Sequence, residues 1–202
     1  MRVRVAGERA LLVSVDGLET VHRLTAALRA AARPGVVDIV PGYSTVLVTG
    51  DGGLDLVRLA RELPLWELPP AEAVGGRLVE IPVVYDGEDL EEVCRLSGLP
   101  ADDVVSRHTA PEYVVAFLGF SPGFPYLSGL AKALQVPRRM TPRASVPAGS
   151  VGLAGDQTGV YPSASPGGWQ LIGRTDLVLW DVSREPPALL APGDRVRFRA
   201  VA

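Results

Sequence analysis

Cysteine and histidine are nearly absent from this chain of 202 residues, which has one cysteine, Cys94, and two histidines, His22 and His108. A single thiol rules out an intrachain disulfide and fits a reducing cytoplasm. Two imidazoles and one thiol fall short of an ordinary zinc ligand set, so only carboxylate metal sites stay open. No apolar run reaches the roughly 20 residues that a membrane-spanning helix needs. The opening MRVRVAGERALLV has no long apolar stretch and no small-residue cleavage site, so no signal peptide is read there. Neither sign of charge dominates: 20 cations stand against 23 acids, a net charge of −3 that argues against a general nucleic-acid or membrane-surface binder. There is no G-x4-G-K-[ST] phosphate loop, no G-x-G-x-x-G turn and no G-x-S-x-G elbow; Gly149-Ser150-Val151-Gly152 has the wrong spacing for the last.

With 47% hydrophobic and 21% charged residues, the chain can bury a sizeable core, as one large or two small domains. Its most unusual stretch is 117–175, FLGFSPGFPYLSGLAKALQVPRRMTPRASVPAGSVGLAGDQTGVYPSASPGGWQLIGRT. From Gly119 to Gly173 it holds ten of the 22 glycines and seven of the 18 prolines. Such punctuation suits loops and short strands rather than a long helix. From Gly119 to Thr175 five cations (Lys132, Arg138, Arg139, Arg143, Arg174) face one acid, Asp156, so the segment is net +4. That surplus suits an anionic ligand.

Upstream, residues 2–5 and 10–15 have strand patterning. Thr20 is placed to cap a helix that buries Val21, Leu24, Leu28 and Ala31 and ends at Pro34-Gly35. Two β-branched runs, 36–40 and 44–49, form a hairpin through Pro41-Gly42. Asp51 is placed to cap a second helix with Leu56, Leu59, Ala60 and Leu63 inward. With 78–85 as the returning strand, the order approaches a ferredoxin-like split βαβ unit. Residues 64–76, PLWELPPAEAVGG, are the best linker candidate, with Trp66 as an anchor. A second unit then runs from 77: a helix burying Leu90, Val93 and Cys94 up to Gly98, another from Pro100 to about His108, and a strand over 113–118. Short strands are expected near 145–153, 169–172 and 177–182, with a last one over Arg195–Ala200 exposing its arginines. The acids Glu88, Asp89, Glu91, Glu92, Asp102 and Asp103 read as a solvated face. Cys94 reads as core filler.

FLGFSPGFPYL, PR-x4-R from Pro137 to Arg143, VPAGSVGLAG, QTGVYP and SPGGWQLIGRT, with GERALLVSV near the start and VEIPVVYDG at 79–87, closely resemble one family. It contains the B subunit of bacterial 5-oxoprolinase, the KipI-type inhibitor of sporulation kinases and half of the carboxyltransferase domain of urea carboxylase, and is also termed allophanate hydrolase subunit 1. The resemblance implies an α+β fold, with a ferredoxin-like α/β unit over 1–76 and a cyclophilin-like β-barrel over 77–202. It implies part of an ATP-dependent 5-oxoprolinase that opens a cyclic amide to glutamate, inactive without its A and C subunits, the C subunit being paralogous to this chain. ATP would be handled without a Walker loop, by this chain or by a partner. Two alternatives come with the family: a regulator of a sensor histidine kinase, or a carboxyltransferase component. In the second case biotin would come from elsewhere, because no MKM attachment motif is present.

Guanidinium forks suit carboxylate or phosphate, which makes Arg138, Arg143 and Arg174 the leading polar candidates. His108, in SRHTAPEY, is the usual type of proton carrier near neutral pH. Gln157 can both donate to and accept from a substrate amide. His108, Arg143 and Gln157 form the expected catalytic set. Phe120, Pro122, Gly123 and Tyr126, in a tight loop whose amides could line an oxyanion or phosphate pocket, join Arg138, Ser150, Trp169 and Arg174 as the expected substrate contacts. At least one of Phe120 and Phe124 is expected to plug the barrel end. Gly167-Gly168 suggests backbone passing close to a ligand or a partner. No metal is expected.

Overall fold

Period-two alternation sets the first sheet. Leu11 and Val13 of β2 (Ala10–Ser14) and Val46 and Val48 of β4 (Thr45–Gly50) turn inward. β1 (Arg2–Ala6) and β3 (Val36–Pro41) flank them in the order β1-β2-β4-β3, each neighbour antiparallel. Val21, Leu24 and Leu28 of α1 (Gly17–Ala31) and Leu59 of α2 (Leu56–Glu62) share one cluster with these strand residues. Each such side chain, fully buried, contributes about 1.5–3 kcal/mol. Both capping expectations shift. α1 begins at Gly17, leaving Thr20 inside the helix with its hydroxyl donating to the Asp16 carbonyl at 2.8 Å. Asp55, not Asp51, caps α2 by accepting the Arg58 amide at 2.8 Å. Asp51 instead accepts the Gly53 amide in the preceding turn.

In the computed structural model, which describes residues 1–71 and 75–202, the chain divides into two compact units, Met1–Gly75 and Gly76–Ala202. The strand expected to return to the first sheet lies in the second unit. β5 (Leu78–Val83) pairs in parallel with β13 (Arg195–Ala200) over six residues, while β1, tied to β2 by five residue pairs, fills the open edge of the first sheet. The linker candidate is also shorter than read. Leu63–Leu65 forms a 3-10 turn, Trp66 and Leu68 pack on the first unit's core, and Arg23 donates to the Pro69 carbonyl at 2.6 Å. Residues 72–74 of that stretch lie outside the described residues.

The second unit is a seven-stranded sheet in the order β12-β9-β10-β7-β6-β13-β5. Its members beyond β5 and β13 are β6 (Tyr113–Leu118), β7 (Pro125–Ser128), β9 (Ser150–Ala154), β10 (Gln157–Val160) and β12 (Gln170–Arg174). Reciprocal amide–carbonyl bonds of 2.9 Å between Val84 and Arg174 join the two edges, so the sheet is a nearly closed barrel. A two-stranded ribbon, β8 (Arg143–Val146) with β11 (Ser165–Gly167), stands beside it. Val93 of α3 (Leu90–Ser97) and Val104 of α4 (Ala101–Thr109) join Ile81, Val115, Leu127, Leu153 and Phe198 in the main core. Residues 177–182 form no strand: Trp180 makes a single bridge to Ala188 in an otherwise irregular segment.

Candidate functional site

The arginines of the basic stretch divide into paired and unpaired. Asp89, immediately before α3, is 3% exposed and is the centre of the paired group. Its carboxylate accepts the Leu171 amide at 2.7 Å, Arg143 Nη2 at 2.8 Å, and Arg139 Nη1. Burial alone would raise the Asp89 carboxyl, but the Arg143 hydrogen bond and the Leu171 amide outweigh it and hold the carboxyl below its ordinary value. Arg143 also reaches Glu88 at 3.1 Å. Arg174 pairs with Asp86 at 3.0 Å on the surface. Glu88 and Asp89 are thus counter-charges for the basic stretch rather than members of a solvated face. Arg143, expected in the catalytic set, is committed to them, with its side chain 14% exposed.

Arg138 lies between residues that are tightly held. Gln170 Nε2 donates to the Pro137 carbonyl at 3.2 Å, and the Arg139 amide donates to the Gly168 carbonyl at 2.8 Å. These bonds fix the backbone on both sides of Arg138. Its guanidinium is exposed and has no carboxylate partner among the described residues.

That guanidinium lines a cavity of about 80 Å³ whose other walls are Phe120, Phe124, Tyr126, Tyr161, Trp169 and the Gly167-Gly168 backbone. The rings pack edge to face: Phe124 to Trp169 at 5.3 Å and 85°, and Phe124 to Tyr161 at 5.1 Å and 83°. Glycines make this packing possible. A Cβ on Gly159 would lie 3.1 Å from the Trp169 ring, and one on Gly152, directly opposite on β9, 3.1 Å from Trp169 Cβ. Burial raises the Tyr126 hydroxyl, with the Arg138 charge pulling the other way. Burial likewise raises Tyr161, against the Trp169 backbone hydrogen bond and the Arg138 charge. Both phenols therefore keep their protons at neutral pH and can donate.

The loop at the mouth is strained. The Ser121 amide donates to the Gly119 carbonyl at 2.7 Å, which makes Phe120 the centre of a γ-turn at φ 66°. Such a backbone costs a bulky residue on the order of 1–3 kcal/mol. It leaves Phe120 62% exposed, with its ring 5.4 Å from Phe124 and 6.4 Å from Tyr161. Phe124 is the ring that plugs the interior, at 1% exposure.

Four expected contacts, Phe120, Tyr126, Arg138 and Trp169, therefore line one cavity. Pro122 and Gly123 belong to the loop that carries Phe120, with Gly123 at φ 77° packed under Trp180. Ser150 stands behind the wall, its carbonyl accepting the Tyr161 amide at 2.9 Å. Gln157 and Arg174 are not among the lining residues.

His108 requires a correction. It is fully buried, stacked on Phe198 at 4.4 Å, with both ring nitrogens engaged. Thr158 donates its hydroxyl to the Gly152 carbonyl at 3.1 Å, so it accepts from His108 Nε2 at 2.9 Å; Nδ1 then accepts the Tyr85 hydroxyl at 2.7 Å. This is a satisfied neutral imidazole. Burial pushes its pKa down to about 3, so it is a core residue and not a proton carrier. Its i,i+4 spacing from the buried Val104 is the sequence signal for that placement.

A nearly closed barrel carrying an aromatic cavity, with an arginine at its rim that has no carboxylate partner among the described residues, preceded by a four-stranded α/β unit, defines the class. The chain belongs to the carboxyltransferase domain family, subdomain C and D, whose sequence model matches residues 1–190. The B subunit of 5-oxoprolinase from Escherichia coli O157:H7 is 46% identical over 206 residues, covering 98% of this chain and 94% of the relative. The corresponding B subunit from Bacillus subtilis (strain 168) is 43% identical, covering 91% of this chain and 82% of the relative. Among solved structures, TTHA0988 is 43% identical with a TM-score of 0.85 over 96% of this chain, which spans 40% of that longer one.

Proposed function

We propose that this chain is the B subunit of an ATP-dependent 5-oxoprolinase, which assembles with an A subunit plus a paralogous C subunit to open 5-oxoproline to glutamate. Identity above 40% to two named B subunits over most of the chain supports the assignment. The observation that carries the site is Arg138, without a carboxylate partner among the described residues, at the rim of a ring-sized aromatic cavity. In this reading Arg138 pairs with the substrate carboxylate, the aromatic walls hold the five-membered ring, and the Tyr126 and Tyr161 hydroxyls donate toward the ring carbonyl. A cavity of about 80 Å³ does not fit a nucleotide, whose site usually needs several hundred, so ATP would be held outside this cavity, elsewhere on this chain or with a partner. The first unit's strand order, β1-β2-β4-β3, supports reading it as a ferredoxin-like sheet in which β1 takes the place of the last strand. The second unit fits a cyclophilin-like barrel.

The test is co-expression of this chain with the A and C subunits, followed by ATP-dependent glutamate release from 5-oxoproline. Turnover should need all three chains. Full activity without this chain, or with this chain alone, overturns the assignment.

A further inference from the structure

We propose that the cavity selects the closed ring over its ring-opened product, with Phe120 as the specificity-determining residue; this rests on the assignment of 5-oxoproline to that cavity. The cyclic amide carries one charge, its carboxylate. Opening the ring adds a second carboxylate and an ammonium. The cavity has one cation, Arg138, and none of its lining residues is an acid. One carboxylate of glutamate is therefore satisfied. The other is stripped of water against aromatic walls, and the ammonium meets the Arg138 charge with no counter-ion. The neutral ring amide meets neither penalty and can accept from the tyrosine hydroxyls.

Phe120 makes the selection sharp because it stands at the mouth. Its γ-turn holds the ring edge-on to Phe124 and Tyr161, with most of its surface still open to solvent. A planar five-membered ring entering the cavity covers the exposed part. An extended, hydrated amino acid cannot be covered in that way without shedding its water. A strained backbone that keeps a large aromatic ring in solvent is accounted for by what the ring does once a ligand is beneath it.

The experiment is calorimetric titration of the full chain, alone and in its co-expressed complex, with 5-oxoproline and with glutamate. Phe120→Gly is the informative variant, because glycine takes positive φ freely and so removes the ring while keeping the turn. The wild type should prefer 5-oxoproline by at least about tenfold, and Phe120→Gly should weaken 5-oxoproline binding by about tenfold, narrow the preference, and melt no lower than the wild type. Equal affinity of the wild type for the two ligands, or unchanged binding in Phe120→Gly while Arg138→Ala still weakens it, overturns the selectivity proposal and leaves the substrate assignment standing. Absence of 5-oxoproline binding in both forms of the wild type, or indifference to Arg138→Ala, overturns the substrate assignment and this proposal together.

Discussion

Arg143 and Arg138 are five residues apart in one basic loop, yet they serve different ends. Arg143 is drawn onto a carboxylate that is almost wholly buried, and its geometry is fixed by two acids and a β-ribbon. Arg138 has a backbone held on both sides and a head group with no carboxylate partner among the described residues. The difference lies in which acids reach them: the turn at 86–89 supplies Asp89 to Arg139 and Arg143 and Asp86 to Arg174, and none to Arg138. A positive stretch therefore does not locate an anion site by itself. What singles out Arg138 is the absence of a carboxylate partner among the described residues together with its place beside the aromatic cavity. The two clusters are also linked, because Asp89 holds Arg139 and the Leu171 amide, and so steadies the backbone that presents Arg138.

Removing Asp89 should break this contrast most severely. Asp89→Ala leaves two guanidinium groups without their shared partner, and loss of one member of a buried ionic group costs about 3–5 kcal/mol. Denaturant unfolding should show that loss. Any 5-oxoproline binding that survives should also be weakened, because Arg138 loses its support. Stability within about 1 kcal/mol of wild type would mean that the cluster is solvated and contributes as surface pairs do.

Arg138→Ala should do the reverse. One charge-assisted contact to a carboxylate is worth about 1.5–3 kcal/mol, so 5-oxoproline affinity and turnover of the complex should fall by roughly 10- to 150-fold with the melting temperature unchanged. A fall in melting temperature with normal binding by the folded fraction would move Arg138 into the structural group with Arg143.

Acid should separate core from site in another way. Between the ordinary histidine value of about 6.5 and the native value of about 3, the unfolded chain binds a proton at residue 108 and the folded chain does not. Stability is therefore full above pH 6.5 and falls as pH drops, by about 1.4 kcal/mol per pH unit for this group. Asp89 adds a second loss below about pH 4, since its carboxyl is held under the unfolded value and its stabilisation disappears as pH falls through the native one. Unfolding curves from pH 7 to 4.5 should show the first slope, and the His108 ring signals should not titrate above pH 5 by NMR. A native titration near pH 6.5 would return His108 to the list of proton carriers.

Much of the fold is legible in the residues themselves. The period of 3.6 marks α3, the proline before its first turn marks α4, a continuous apolar run marks β6, and alternation marks β13. Phe120, Tyr126, Arg138 and Trp169 stand out because long motifs put aromatic and arginine residues between glycines. Asp89 does not, since local pattern does not reveal that a loop fifty residues later folds back onto it. His108 misleads for the opposite reason: its residue type suggests chemistry, whereas its spacing from Val104 points to the core. The strand at 78–83 joins the second sheet rather than the first because periodicity identifies a strand and not its partner, which is β13 at the far end of the chain.

The smallest effect should come from Arg174, and it tests whether the division of arginines rests on burial or merely on pairing. Arg174 has a good partner, Asp86 at 3.0 Å, but both side chains are about half exposed, at 55% and 47%. Solvent screens such a pair, and its net worth is roughly 0–1 kcal/mol. The strand end is held independently by the two backbone bonds to Val84. Arg174→Ala should therefore change stability by no more than about 0.5 kcal/mol and leave binding untouched, since Arg174 does not line the cavity. A binding loss as large as that of Arg138→Ala would mean that the ligand extends past the aromatic cavity to the edge where the barrel closes, and that an arginine with a partner can still serve the site.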